Sequence, residues 1–182
     1  GAPMASNLIK AGYSLVVYNR TKSKANDLVK SGAELGDSPS DVAKKCKYVI
    51  TMLTDSPDVQ QVILGESGVF EGIQPGSIVI DMSTISPTVT KEINKRLSEK
   101  NSSLLDAPVS GGSWGAIDGT LSIMVGGAKN DFENCVHLFE TMGKNITHTG
   151  SSGMGQTTKL VNQILVAGTM NAVAEALVFA AK

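Results

Sequence analysis

The feature that most constrains this chain is a repeated alternation. A short, solid apolar run ends on polar residues, and a helical stretch follows. Residues 15–18, 48–53, 77–81 and 103–106 are such runs, and 121–125 and 146–148 continue the series. Runs apolar on both sides suit strands buried on both faces, as in a mainly parallel sheet covered by helices. Ala2, Met4, Ala5, Leu8 and Ile9 recur at helical spacing, and Gly12 stops that helix. Further helices are expected over 22–30, from Ser38-Pro39 to Lys45, over 58–64, from Ser86-Pro87 to Glu99, over 131–142, and from Gly153 onward. A serine cap with proline at the first helical position marks two of these starts. The stretch 107–119 reads as a loop. The fold class expected is therefore α/β.

With 41% hydrophobic residues and only 4% aromatic ones, the core must be Val, Ile, Leu, Ala and Met. The 16 basic and 17 acidic residues leave a formal charge of −1, and no basic stripe is present, so no nucleic-acid partner is expected. Cys46 and Cys135 stand far apart, as reduced thiols. His137 and His148 have no ligand-spaced companion, so no metal site is expected. Residues 164–181 are apolar all round, which fits either a membrane span or a buried helix. Asn171 and Glu175, one turn apart near the middle, would be costly in lipid. The expectation is a helix packed against another domain or subunit, with no membrane contact.

Four stretches carry chemistry. Gly1 enters a helix that leads to a strand ending in Asn19-Arg20-Thr21. That is the arrangement of the third glycine of G-x-G-x-x-G, although an ordinary helix N-terminus reads the same way. A carboxylate at the end of the following strand selects NAD, and an Arg there accommodates a 2′-phosphate. This chain offers Arg20, so NADP is preferred over NAD if the fold is of that type. Ser110-Gly111-Gly112 follows a strand end and reads as a backbone nest for a small carboxylate, or as a flexible turn. On the last helix Gln156, Lys159 and Gln163 share one face, leaving the lysine beside amides rather than carboxylates. Such a lysine suits proton exchange, and a solvated surface lysine has the same spacing.

Taken in order, GAPMASNLIKAG, NRT, DAPVSGGSWGAIDGTLSIMVGG and GMGQTTKLVNQ resemble the β-hydroxyacid dehydrogenase family over essentially the whole chain. The family includes 3-hydroxyisobutyrate dehydrogenases and is similar to 6-phosphogluconate dehydrogenase. AGYSLVV, GAIDGTLSIMVGG and TKLVNQ resemble its tartronate semialdehyde reductase (2-hydroxy-3-oxopropionate reductase) branch. The resemblance implies a Rossmann-type NAD(P)-binding domain over 1–150, lacking its first strand and leading glycines. Residues 151–182 would begin a long interdomain helix leading to an all-helical domain, so the chain is expected to be a piece of a longer protein. It implies Lys159 as acid/base residue, and Ser110, Gly111, Gly112, Asn162 and Gln163 at the substrate. Gly1, Asn19, Arg20, Thr21, Met52, Leu53, Thr54 and Thr84 would contact the cofactor. Many members carry Leu-Pro where this chain has Leu53-Thr54, and Asn where it has Gln163.

The activity implied is NAD(P)-dependent interconversion of a short β-hydroxy acid and its semialdehyde. The partner is a small carboxylate-bearing aldehyde or hydroxy acid, and a homodimer or homotetramer is expected. A cytoplasmic location is expected, or an organelle matrix if a targeting segment precedes Gly1. Two rivals are an NADPH-dependent glyoxylate or succinic semialdehyde reductase, and a catalytically silent binding module of the same fold.

Overall fold

A computed structural model of the chain describes residues 1–181. The elements run α1 (Ala2–Lys10), β1 (Val16–Val17), a 3-10 turn (Lys22–Ala25), α2 (Asn26–Lys30), β2 (Glu34–Leu35), α3 (Pro39–Lys45) and β3 (Tyr48–Thr51). Then come α4 (Ser56–Leu64), α5 (Val69–Gly72), β4 (Ile78–Asp81), α6 (Pro87–Ser98), β5 (Ser103–Asp106) and β6 (Val109–Ser110). Last are α7 (Gly112–Asp118), β7 (Leu121–Gly126), α8 (Lys129–Phe139), β8 (Gly143–Gly150) and α9 (Met154–Ala180).

Alternation along β4 and β5 layers the molecule. Ile78, Ile80 and Leu105 join Met4, Leu8, Cys135 and Phe139 on the face covered by α1 and α8. Val79 and Leu104 turn the other way, onto Val59, Ile63, Ile93 and Leu97 of α4 and α6. Each such side chain, fully buried, is worth about 1.5–3 kcal/mol. The capping signals act as read: Ser38 Oγ accepts from Asp41 N at 3.0 Å and Ser86 Oγ from Thr88 N at 3.3 Å. Asp55 Oδ1 accepts from Ser56 N at 2.7 Å and starts α4 two residues before the expected position.

β1 and β2 pair in parallel as a sheet of their own, while β3-β4-β5-β7-β6 forms the main sheet with β8 also paired to β7. β7 runs antiparallel to β5 and β6, and the remaining pairings are parallel. The sheet is thus Rossmann-like and mainly parallel, with a mixed edge.

Three expectations are corrected. The helix over 22–30 divides into a 3-10 turn and α2. The short elements β2 and α5 had no counterpart in the reading. The supposed loop 107–119 holds β6 and α7. Asp106↔Gly126, Val109↔Ile123 and Ser110↔Ser122 lie in one continuous register, so β5 and β6 are one strand interrupted at Pro108. Proline has no N–H to give, but its carbonyl still accepts from Met124 N at 3.1 Å.

Beyond its first turns α9 touches little of this chain, and Phe179 is 86% exposed. By length and composition alone the helix could cross a membrane, and none of its apolar window is buried here. Asn171 Nδ2 donates to Glu175 Oε1 at 3.3 Å midway along it. The cover expected for 164–181 is not supplied by the described residues.

Candidate active site

The candidate residues lie at the starts of α1 and α9 and on the segments that follow β1, β3, β4 and β6. The first is the start of α1. Among the described residues no side chain caps that helix, and Gly1 sits against the strand end, where an added Cβ would lie 3.7 Å from Met52 Cβ. The N-terminal amides of α1 therefore keep the donors and the positive dipole end that an anion needs. On this observation the residues fit the pyrophosphate of a dinucleotide.

Asn19, Arg20 and Thr21 leave β1. Asn19 Nδ2 donates to the Thr21 carbonyl at 2.8 Å. The Arg20 side chain is 91% exposed and stands 4.0 Å from the Asp58 carboxylate of α4, a contact too solvated to hold it firmly.

Met52, Leu53 and Thr54 leave β3, which ends at Thr51 rather than at Leu53 as the apolar run suggested. Leu53 N donates to Ser83 Oγ at 2.9 Å, and Ser86 N donates to Ser56 Oγ at 3.1 Å. The turns after β3 and β4 are stitched together by these bonds. Thr84 is exposed between them. Beneath, the buried Asp81 Oδ1 accepts from Thr51 Oγ1 at 2.8 Å and from Ser83 N at 3.2 Å.

The first turn of α9 lies directly on the strand ends. Asp106 Oδ1 accepts from Gly153 N at 2.8 Å and its Oδ2 from Gln156 N at 2.9 Å, so a strand carboxylate caps the helix. Glycine is required here. A Cβ on Gly155 would overlap the carbonyl oxygens of Asp106 and Met124, and one on Gly126 would meet Gly155 N at 2.6 Å. Gln156 is wholly buried: its Nε2 donates to the Ser83 carbonyl at 2.8 Å and its Oε1 accepts from Ile85 N at 3.0 Å.

Lys159 follows one turn later and is only 8% exposed. Among the described residues it has no carboxylate within salt-bridge reach, and burial lowers its pKa below the ordinary lysine value. Its burial separates it from a solvated surface lysine. Asn162 Nδ2 donates to Gln163 Oε1 at 3.2 Å. Gln163 is exposed, so the face that spacing gave to Gln156, Lys159 and Gln163 is buried only at its first two members.

Ser110 closes β6, and Gly111 and Gly112 follow at φ 132° and 63°, values that favour glycine. Asn7 Nδ2 donates to the Ala116 carbonyl at 2.9 Å and ties α7 to α1. Among the described residues Ser110 shares no hydrogen bond with Lys159 or with the turns after β3 and β4.

The sequence reading passed over Asp81, Ser83 and the capping role of Asp106. An acid closing an otherwise apolar strand, as in SIVID and SLLD, was the available signal. Among the described residues no three His, Cys, Asp or Glu side chains gather as a metal site.

The NAD-binding domain model of 6-phosphogluconate dehydrogenase matches residues 1–150. The chain belongs to this family. It is 44% identical to the 2-hydroxy-3-oxopropionate reductase of Escherichia coli (strain K12), over 100% of this chain and 62% of that protein. It is 42% identical to a probable mitochondrial 3-hydroxyisobutyrate dehydrogenase of Dictyostelium discoideum, over 97% of this chain and 55% of the relative. Among solved structures, the Mycobacterium tuberculosis 3-hydroxyisobutyrate dehydrogenase with L-serine superposes with a TM-score of 0.92 at 33% identity, over 98% and 60% of the two chains. The chain thus spans less than two thirds of the length of these relatives.

Proposed function

We propose that the protein is an NAD(P)-dependent β-hydroxyacid dehydrogenase that interconverts a short β-hydroxy acid and its semialdehyde. In this reading residues 1–150 form the cofactor domain, and residues 151–182 begin the helix that leads into an all-helical domain. The carrying observation is Lys159: almost buried, free of any carboxylate among the described residues, and placed on a helix whose first turn is fastened to the strand ends.

Gly1 and the α1 amides would hold the pyrophosphate, and Met52, Leu53, Thr54 and Thr84 would line the cofactor groove. Asn19, Arg20 and Thr21 would meet the adenosine ribose. The exposed guanidinium of Arg20, with no carboxylate among those three residues, favours NADP. When bound, the cofactor supplies or accepts the hydride at the reacting carbon.

The Ser110 hydroxyl and the Gly111 and Gly112 amides would hold the substrate carboxylate, with Asn162 and Gln163 at its other end. In reduction the Lys159 ammonium hydrogen-bonds the carbonyl oxygen and gives its proton to the developing alkoxide. In oxidation the neutral amine takes the hydroxyl proton, and burial lowers the pKa in the direction this needs. The relatives' names support tartronate semialdehyde (2-hydroxy-3-oxopropionate) or the semialdehyde of 3-hydroxyisobutyrate as substrate. A dimer that covers the apolar length of α9 completes the reading.

The test uses the full-length protein with tartronate semialdehyde, comparing NADPH with NADH. Lys159→Ala should lower kcat by about 10²–10⁴-fold. Turnover kept within about tenfold would overturn the assignment of Lys159.

A further inference from the structure

The dehydrogenase reading explains Lys159 but not why a fully buried amide stands one turn before it. Gln156 has no exposed surface. A carboxamide buried without partners is strongly unfavourable, so its bonds must be accounted for in full. It spends them on one segment. Nε2 donates to the Ser83 carbonyl at 2.8 Å, and Oε1 accepts from Ile85 N at 3.0 Å. Those two groups flank Thr84, the exposed residue of the turn after β4. The Gln156 backbone N–H meanwhile donates to Asp106 at 2.9 Å. One residue therefore joins three things: the end of β5, the turn after β4, and the helix that carries Lys159.

The same turn reaches the end of β3. Ser83 Oγ takes the Leu53 N–H at 2.9 Å, and Ser83 N donates to Asp81 at 3.2 Å. A shift of the 83–86 turn relative to α9 must break both bonds of the Gln156 amide. Gln156 and Lys159 are three residues apart on a continuous helix, so whatever fixes the first fixes the Cα of the second.

We infer that Gln156 is a positioning residue: its side-chain amide locks the 83–86 turn to α9 and so sets where the Lys159 amine stands relative to the cofactor groove. The inference rests on the proposed catalytic use of Lys159. It assigns Gln156 no contact with substrate or cofactor. Its effect is expressed through the lysine.

Gln156→Met in the full-length protein keeps the volume and removes both bonds. Misplacement of a reacting group can cost up to about a hundredfold, so kcat should fall about tenfold to a hundredfold while substrate KM stays near wild type. The decisive arm is the double variant. If Gln156 acts through the lysine, adding Gln156→Met to Lys159→Ala produces no further loss of kcat. A purely structural role would lower kcat equally in both backgrounds, and that result overturns the inference. So does a folded Gln156→Met with wild-type kcat. Where Gln156→Met does not fold, Gln156→Glu keeps the acceptor for Ile85 N, loses the donor to Ser83, and is judged by the same criteria. Full turnover by Lys159→Ala alone would overturn the catalytic reading and this inference with it. A dead Lys159→Ala beside an unaffected Gln156→Met would overturn only the inference.

Discussion

Asp81 and Asp106 are register partners on neighbouring parallel strands, and neither has any exposed surface. Their surroundings differ. Asp106 uses both oxygens, one on Gly153 N and one on Gln156 N, at the positive end of a 27-residue helix. Asp81 takes two bonds on Oδ1, from Thr51 and Ser83, and its Oδ2 meets no partner among the described residues. Desolvation is the largest influence on both and raises both pKa values. At Asp106 the backbone donors of α9 oppose that rise, whereas at Asp81 the opposing bonds come from Ser83 and Thr51. One carboxylate fastens a helix to the sheet, and the other holds a turn in shape. The neighbours reach the same burial by different means, so equivalent-looking substitutions should act differently.

The largest effect should come from the contact that lets Asp106 reach the helix at all. Gly155→Ala sets a Cβ into the Asp106 and Met124 carbonyl oxygens, which are backbone and cannot swing aside. Overpacking of this kind costs about 1–3 kcal/mol and occasionally more. For a protein of this size each kcal/mol lowers Tm by about 2–4 °C. Calorimetry on the variant should show a clear loss, and limited proteolysis should cut within residues 150–160 of the variant first. A wild-type Tm would mean that α9 does not rest on the strand ends as described.

Asp106→Asn is next. Its Oδ1 can still accept one N–H, but the new Nδ2 amide group, itself a donor, faces the other N–H, and the charge at the helix start is gone. Losing part of a helix cap should destabilise the protein by about 0.5–2 kcal/mol in urea unfolding. An unchanged midpoint would remove Asp106 from its capping role and leave the contrast with Asp81 without basis.

Much of this arrangement was legible because it rests on local rules. The Ser38-Pro39 and Ser86-Pro87 starts needed only neighbouring residues, and the caps formed as read. The apolar runs became β3, β4 and β5 because period-two alternation puts both faces of each run against helices. The strand beyond Pro108 was hidden, since proline and the four glycines that follow it up to Gly119 have the composition of a loop, and only pairing with β7 makes Val109 and Ser110 a strand. The site shows the same division. Spacing could nominate Lys159 but not its burial, which depends on Gly155 letting the helix sit on β5 and β7. The bonds from Asp106 to α9 cross 47 and 50 residues, and no local pattern encodes such a reach.

Asp81→Asn should have the smallest effect and the opposite sign. The asparagine oxygen can keep the bonds from Thr51 Oγ1 and Ser83 N, while Nδ2 takes the place of an oxygen that had no partner among the described residues. The substitution thus loses no bond and removes a buried charge. Its pH dependence follows from the raised pKa. Between the unfolded carboxyl pKa and the raised folded one, the native state binds more protons than the unfolded chain. Stability contributed by this group is present at acid pH and lost as pH rises through the folded value. Asp81→Asn has no such loss, so its urea midpoint should match wild type near pH 4 and exceed it modestly at pH 8. Asp106→Asn should fall below wild type at pH 8. If Asp81→Asn is also destabilised at pH 8, its carboxylate is held by more than Thr51 and Ser83, and the two acids differ in degree rather than in kind.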